Sequence, residues 1–208
     1  MFIERLSEKF NNNEPIFTEE ILGLFREYSR AQVFRYIDKA KERKEIVQFA
    51  KGVYYIPNVP FWGDLSTITA DAVIEKKYLR NAEQTYGVFG GIKLLNNFSV
   101  TTQMAAVIEV VTNNETTRCR EIAVNGRRFI LRKSRCEINK NNYAAYTVLQ
   151  LFNDFTEQDR LDEASRRRLL EYIKSRKVTQ KQLLELSMQF PARATKKLIR
   201  SGVLNEIA

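Results

Sequence analysis

Arginine and lysine carry most of the chemistry this chain has to offer. Of its 208 residues, 34 are Lys or Arg, 25 are Asp or Glu and none is His. Without histidine there is no imidazole base, no Ser-His-Asp or Cys-His nucleophile and no mixed Cys/His zinc site. Cys119 and Cys136 are too few for a tetrahedral zinc site or a disulfide framework. Asp159, Asp162 and Glu163 are close enough in sequence to frame a metal, but acids at a helix start more often answer its dipole. Gly90-Gly91 lacks both the Lys-Ser/Thr that follows in a phosphate loop and the Ser-x-acid continuation of a nucleotidyltransferase. The expectation is a protein that binds rather than catalyses, with no metal and no cofactor.

Residues 29–39 have the types that read DNA. Arg30 and Arg35 offer paired donors to a guanine edge and Gln32 matches an adenine edge, while Ser29 at a helix N-terminus suits a phosphate. At ~100° per residue, Val33, Ile37 and Ala40 form one stripe. Arg35, Asp38 and Glu42 lie opposite it, with Gln32 and Lys39 alongside. Lys51 falls in a Lys-Gly turn, placed for a phosphate or the minor groove. A second basic group, Arg127, Arg128, Arg132 and Lys133, lies in a stretch (118–140) with eight cations and two acids. A third stretch (160–200) has twelve cations and four acids and includes Arg166-Arg167-Arg168. The plain alternative for every one of these groups is a solvated face.

Elements must hold these residues in place. Phe2, Ile3, Leu6 and Phe10 have helical spacing over 2–11. Thr18 is expected to cap a second helix, with Glu19 and Glu20 at its positive end. Ser29 is expected to cap a third helix reaching about residue 44. β-branched and aromatic runs at 45–49 and 53–56 flank the Ala50-Lys51-Gly52 turn and read as a hairpin. Three helices and a hairpin give the winged helix-turn-helix order; a three-helix bundle with a trailing hairpin is the alternative. Further on, 66–79 reads as a helix, Gly87, Gly90 and Gly91 as a turn before 92–95, and 106–112 as a strand. Asn125-Gly126 suits a type I′ turn between strands 118–124 and 127–133, because both residues tolerate positive φ. Helices are expected over 143–153, 163–176, 179–189 and 192–201. The fold class is α+β: a winged helix-turn-helix over 1–62, then a mixed α+β domain over 63–208 with a small sheet plus helices.

The formal net charge is +9 and the pI ≈ 9.6. Residues 1–62 hold ten cations and nine acids, and 63–208 hold 24 and 16, so the surplus is downstream. It favours nucleic acid or an acidic protein as partner. Hydrophobic content of 44%, with 8 Gly and 4 Pro, describes an ordinary globular chain without long linkers. The opening MFIERLSEKF lacks the apolar core of a leader. Nothing approaches the ~18 apolar residues of a membrane span. A cytoplasmic protein with no membrane partner is expected.

Several short runs together carry a family resemblance. They are Gly52-Val53-Tyr54-Tyr55-Ile56-Pro57, Phe61-Trp62-Gly63, Ile74-Glu75-Lys76-Lys77-Tyr78-Leu79, Gly87-Val88-Phe89-Gly90-Gly91, Thr101-Thr102-Gln103 and Glu109-Val110-Val111-Thr112-Asn113. In order and spacing the chain resembles the AbiEi family of antitoxins from abortive-infection (type IV) toxin–antitoxin systems, from about Phe17 to Phe190-Pro191-Ala192-Arg193. It departs at Phe61-Trp62-Gly63, where the family has Phe-Gly, and at Val100, where the family has Leu. The resemblance implies an N-terminal winged helix that binds inverted repeats of double-stranded DNA in its own promoter and represses the operon. It also implies a C-terminal domain that antagonises a nucleotidyltransferase toxin, AbiEii, without a stable complex, in phage defence. The competing expectation is a stand-alone winged-helix transcriptional regulator whose second domain senses a ligand or dimerises.

Overall fold

The computed structural model describes residues 2–58, 66–156 and 159–207. The chain divides into two compact units, Met1–Lys76 and Lys77–Ala208. The boundary expected after residue 62 and the Phe61-Trp62-Gly63 run lie outside the described residues.

In the first unit, helix α1 (Phe2–Lys9) precedes strand β1 (Ile16–Phe17), helices α2 (Thr18–Leu24) and α3 (Arg30–Glu42), and strands β2 (Val47–Ala50) and β3 (Val53–Tyr55). The strands form an antiparallel sheet in the order β1-β3-β2. One face of each helix closes the core: Leu6 from α1, Ile21 from α2, and Val33, Ile37 and Ala40 from α3, the expected stripe.

Thr18 does not cap α2. Pairing of Ile16 and Phe17 with β3 keeps the chain extended through Phe17, which becomes the N-cap, and Thr18 is the first helical residue. The Glu20 carboxylate accepts from the Phe17 N–H at 2.8 Å, the half of a capping box that needs no hydroxyl at the N-cap. The Thr18 hydroxyl and amide instead donate to the Gly52 carbonyl, at 3.3 and 3.0 Å, tying the start of α2 to the hairpin turn. Downstream, the expected helix over 66–79 is shorter. Thr69 caps α4 (Ala70–Ile74) by accepting from the Ala72 N–H at 3.1 Å, and a π-helical turn follows over Glu75–Leu79.

The second unit contains β4 (Gly87–Gly90), α5 (Gly91–Asn97), β5 (Ile108–Thr112), β6 (Cys119–Val124), β7 (Arg127–Lys133), α6 (Tyr143–Asp154), α7 (Glu163–Ser175), α8 (Gln180–Ser187) and α9 (Ala192–Arg200), and ends in a 3₁₀ turn over Val203–Glu206. The sheet order is β4-β5-β7-β6, with β5 and β7 parallel and the other pairs antiparallel. Asn125 and Gly126 have φ of 46° and 79°, as a type I′ turn requires. The glycines at 87–91 form a strand and a helix start rather than a turn. A Cβ on Gly87 would lie 2.0 Å from the Tyr78 carbonyl oxygen, so this strand needs glycine for close backbone approach. Helix α6 is the centre of the unit, buried on almost every side and packed against β4, α5, α7, α8 and α9. The fold class is thus mixed α+β. Among the described residues, no helix is long and apolar enough to cross a membrane.

Candidate nucleic-acid interface

Ser29 starts α3 with a reciprocal cap. Its Oγ accepts from the Gln32 N–H at 3.3 Å, and Gln32 Oε1 accepts from the Ser29 N–H at 3.0 Å. The Ser29 hydroxyl also lies 3.0 Å from Gln32 Oε1, so both side chains hold the helix start together. Only the Gln32 amide nitrogen is left to face a ligand. Arg30 lies over the Phe34 ring, 5.6 Å from its centroid, which stiffens its stem. Arg35 is exposed one turn on and Lys39 a turn further, and neither side chain has an ion-pair partner among the described residues. Asp38 on the same side pairs with Lys41 at 3.2 Å, which offsets one acid of that face. Lys51 is exposed at the hairpin turn beside Gly52, whose φ is 74°. The structure therefore gathers Ser29, Arg30, Gln32 and Arg35 on the first two turns of α3, with Lys39 beyond and Lys51 on the hairpin.

The second basic group is divided. Side chains alternate along β7, so Arg128 and Arg132 share one face, while Arg127 and Lys133 share the other with buried Phe129 and Leu131. Arg128 pairs with Glu121 at 2.5 Å and Arg132 with Glu109 at 2.6 Å, so both are already matched by carboxylates. In the third group, Arg166 binds Glu206 and the Ser201 carbonyl, Arg168 binds Ser99, and Arg167 is exposed. The acids near residue 160 serve the backbone. Asp162 caps α7 by accepting from the Ser165 N–H at 2.8 Å and hydroxyl at 2.6 Å, bonds that hold its carboxyl below the usual range. Among the described residues, no group of three or more His, Cys, Asp or Glu is placed to hold a metal.

A cleft of ≈ 960 Å³ in the second unit is not anticipated by the sequence. Glu109 of β5 and Arg132 of β7 form one wall, and Gly91, Gln150, Asn153 and Asp154 form another. Asp154 Oδ2 accepts from the Gly91 N–H at 2.7 Å, and its Oδ1 accepts from Gln150 at 2.7 Å and Asn153 at 3.0 Å. Burial pushes the Asp154 carboxyl above its ordinary range, against the pull of these bonds and with added repulsion from Glu109. Gly91 and Asp154 are 63 residues apart, so no local spacing could announce the site. Only the packing of α6 against β4 and α5 assembles it. Compared with known protein families the chain matches none, and the search of curated proteins returns no relative.

Proposed function

We propose that the protein binds duplex DNA in a sequence-specific manner through a winged helix-turn-helix in its first unit, and represses the promoter it occupies. The supporting observation is α3 itself: a capped N-terminus with exposed Arg30, Gln32 and Arg35, anchored by buried Val33, Ile37 and Ala40. In this reading the first turns of α3 enter the major groove, Arg35 offers two donors to a guanine, and Lys51 on the β2–β3 wing meets a phosphate. Likeness to the AbiEi family extends the proposal to an autorepressing antitoxin, whose target is its own operon and whose second unit counteracts a nucleotidyltransferase toxin. The competing reading, a stand-alone regulator with a ligand-sensing second unit, draws support from the cleft bounded by Glu109 and Asp154.

Gel-shift titration of the promoter tests the first unit. Arg35→Ala should lose about 1–3 kcal/mol of operator affinity and relax discrimination at one base pair, with an unchanged circular dichroism spectrum. Undiminished binding by both Arg35→Ala and Gln32→Ala would remove α3 from the interface. A neighbouring reading frame encoding a nucleotidyltransferase toxin, with growth rescued by this protein, would favour the antitoxin over the stand-alone regulator.

A further inference from the structure

The cleft beside Asp154 adjoins a second. The outer cleft, ≈ 800 Å³, lies against α9, and Phe155, Thr156 and Arg193 line both. Helix α9 has cations at 193, 196, 197 and 200, spacings that place all four on one face while Ala194 and Leu198 fill the core behind them. Lys197 donates to the Phe155 carbonyl. Among the described residues, Arg193, Lys196 and Arg200 have no carboxylate partner. Arg118 and Arg135 of the inner cleft also lack one; Arg135 lies over the Phe190 ring at 5.5 Å. Unmatched cations around a concavity focus a positive potential there.

The inner cleft carries an independent sign of a ligand. Asn153 is 7% exposed and donates to Asp154 through Nδ2, but its buried Oδ1 accepts nothing. A buried acceptor without a donor costs about 1–3 kcal/mol, and a turn of the side chain toward the cleft, where a ligand N–H or O–H meets it, would relieve that cost. The floor therefore asks for a donor while the rim asks for anions, and the two joined clefts ask for length. A drug-sized ligand fills a cavity of about 300–1,000 Å³, so either cleft alone would hold one nucleotide. We propose that the joined clefts bind a segment of single-stranded nucleic acid, its phosphates along Arg193, Lys196 and Arg200 and a base N–H on Asn153 Oδ1. A duplex offers base donors only along its grooves, where its own backbone holds them away from the floor of a cleft. An unpaired strand offers both groups. This site belongs to the second unit, whereas α3, proposed above to read duplex DNA, belongs to the first.

Fluorescence anisotropy of the full chain with a labelled, mixed-sequence oligonucleotide of about 12 nucleotides, as RNA and as DNA, tests the proposal. Arg193→Glu, at the junction, should weaken binding about tenfold or more and leave affinity for the promoter duplex unchanged. Arg118→Glu, an exposed position that does not threaten folding, should weaken it in the same direction. Asn153→Leu should lose affinity while keeping the salt slope, because the lost contact is uncharged. Binding of the strand undiminished by Arg193→Glu and Arg118→Glu would overturn the site. So would an equal loss with Arg35→Ala, which would give the strand to α3. Competition by ATP at the oligonucleotide's own affinity would replace the strand with a mononucleotide, and equal competition by polyglutamate would replace it with an acidic peptide.

Discussion

The Glu115 side chain is 2% exposed and still titrates below the ordinary carboxylate value of 4.5. Burial pushes it up, but the Thr117 amide and hydroxyl and the Arg120 guanidinium, at 2.8–3.0 Å, outweigh that push. A depressed folded-state value gives stability that is present above the unfolded value and lost as pH falls through the folded one. Glu115→Gln should therefore cost about 1–3 kcal/mol at neutral pH and flatten the acid limb of Tm against pH. Tyr146 has the opposite sign. Burial pushes its phenol from 10.0 to about 12, while its oxygen accepts from the Arg135 N–H at 3.0 Å. Its contribution is complete below pH 10 and lost as pH rises through about 12. In thermal melts, Tyr146→Phe should lose about 1 kcal/mol at neutral pH and no longer show that share of the alkaline decline.

Local chemistry separates the elements that were legible in the sequence from those that were not. The Asn125-Gly126 hairpin and the buried stripe of α3 were readable because each rests on local chemistry, a positive-φ pair and a 3.6-residue period. β1 was not, since two residues have no period and Ile16–Phe17 is a strand only because β3 lies beside it. Gly87–Gly90 resembled a turn because its reason for glycine, the Tyr78 carbonyl, lies in the preceding π-helical turn, outside any local glycine pattern. Of the candidate site, the exposed donors of α3 were visible in the sequence, whereas the cleft depends on residues far apart along the chain. Two substitutions contrast these cases in chemical denaturation. Gly87→Ala should destabilise the protein by about 3 kcal/mol or more, because its Cβ would meet backbone that cannot move aside. Gly23→Ala, in α2 with nothing within 4 Å of the new Cβ, should stabilise it by about 0.5–1 kcal/mol.

Each of the two units has its own buried core, and their charges differ sharply. Met1–Lys76 holds 11 cations and 12 acids, while Lys77–Ala208 holds 23 and 13. Under the proposed function, DNA binding by the first unit relies on the placement of Arg30, Arg35, Lys39 and Lys51 rather than on net attraction. Residues 1–76 alone should bind the operator with a salt slope no steeper than about −4, one increment of about −0.9 per phosphate. Under the antitoxin proposal, residues 77–208 alone should protect cells producing the toxin without repressing the promoter, and a need for α3 in that rescue would refute the division of labour. Lys76 ends the first unit by reaching back to Glu14 at 2.8 Å, Glu20 at 3.0 Å and the Pro15 carbonyl at 2.7 Å, across the rings of Phe10 and Phe17. On the ribosome, Glu14 leaves the exit tunnel 62 residues ahead of this counter-ion. The helices and hairpin can collapse first, but their acidic side is neutralised only after synthesis of the second unit is under way.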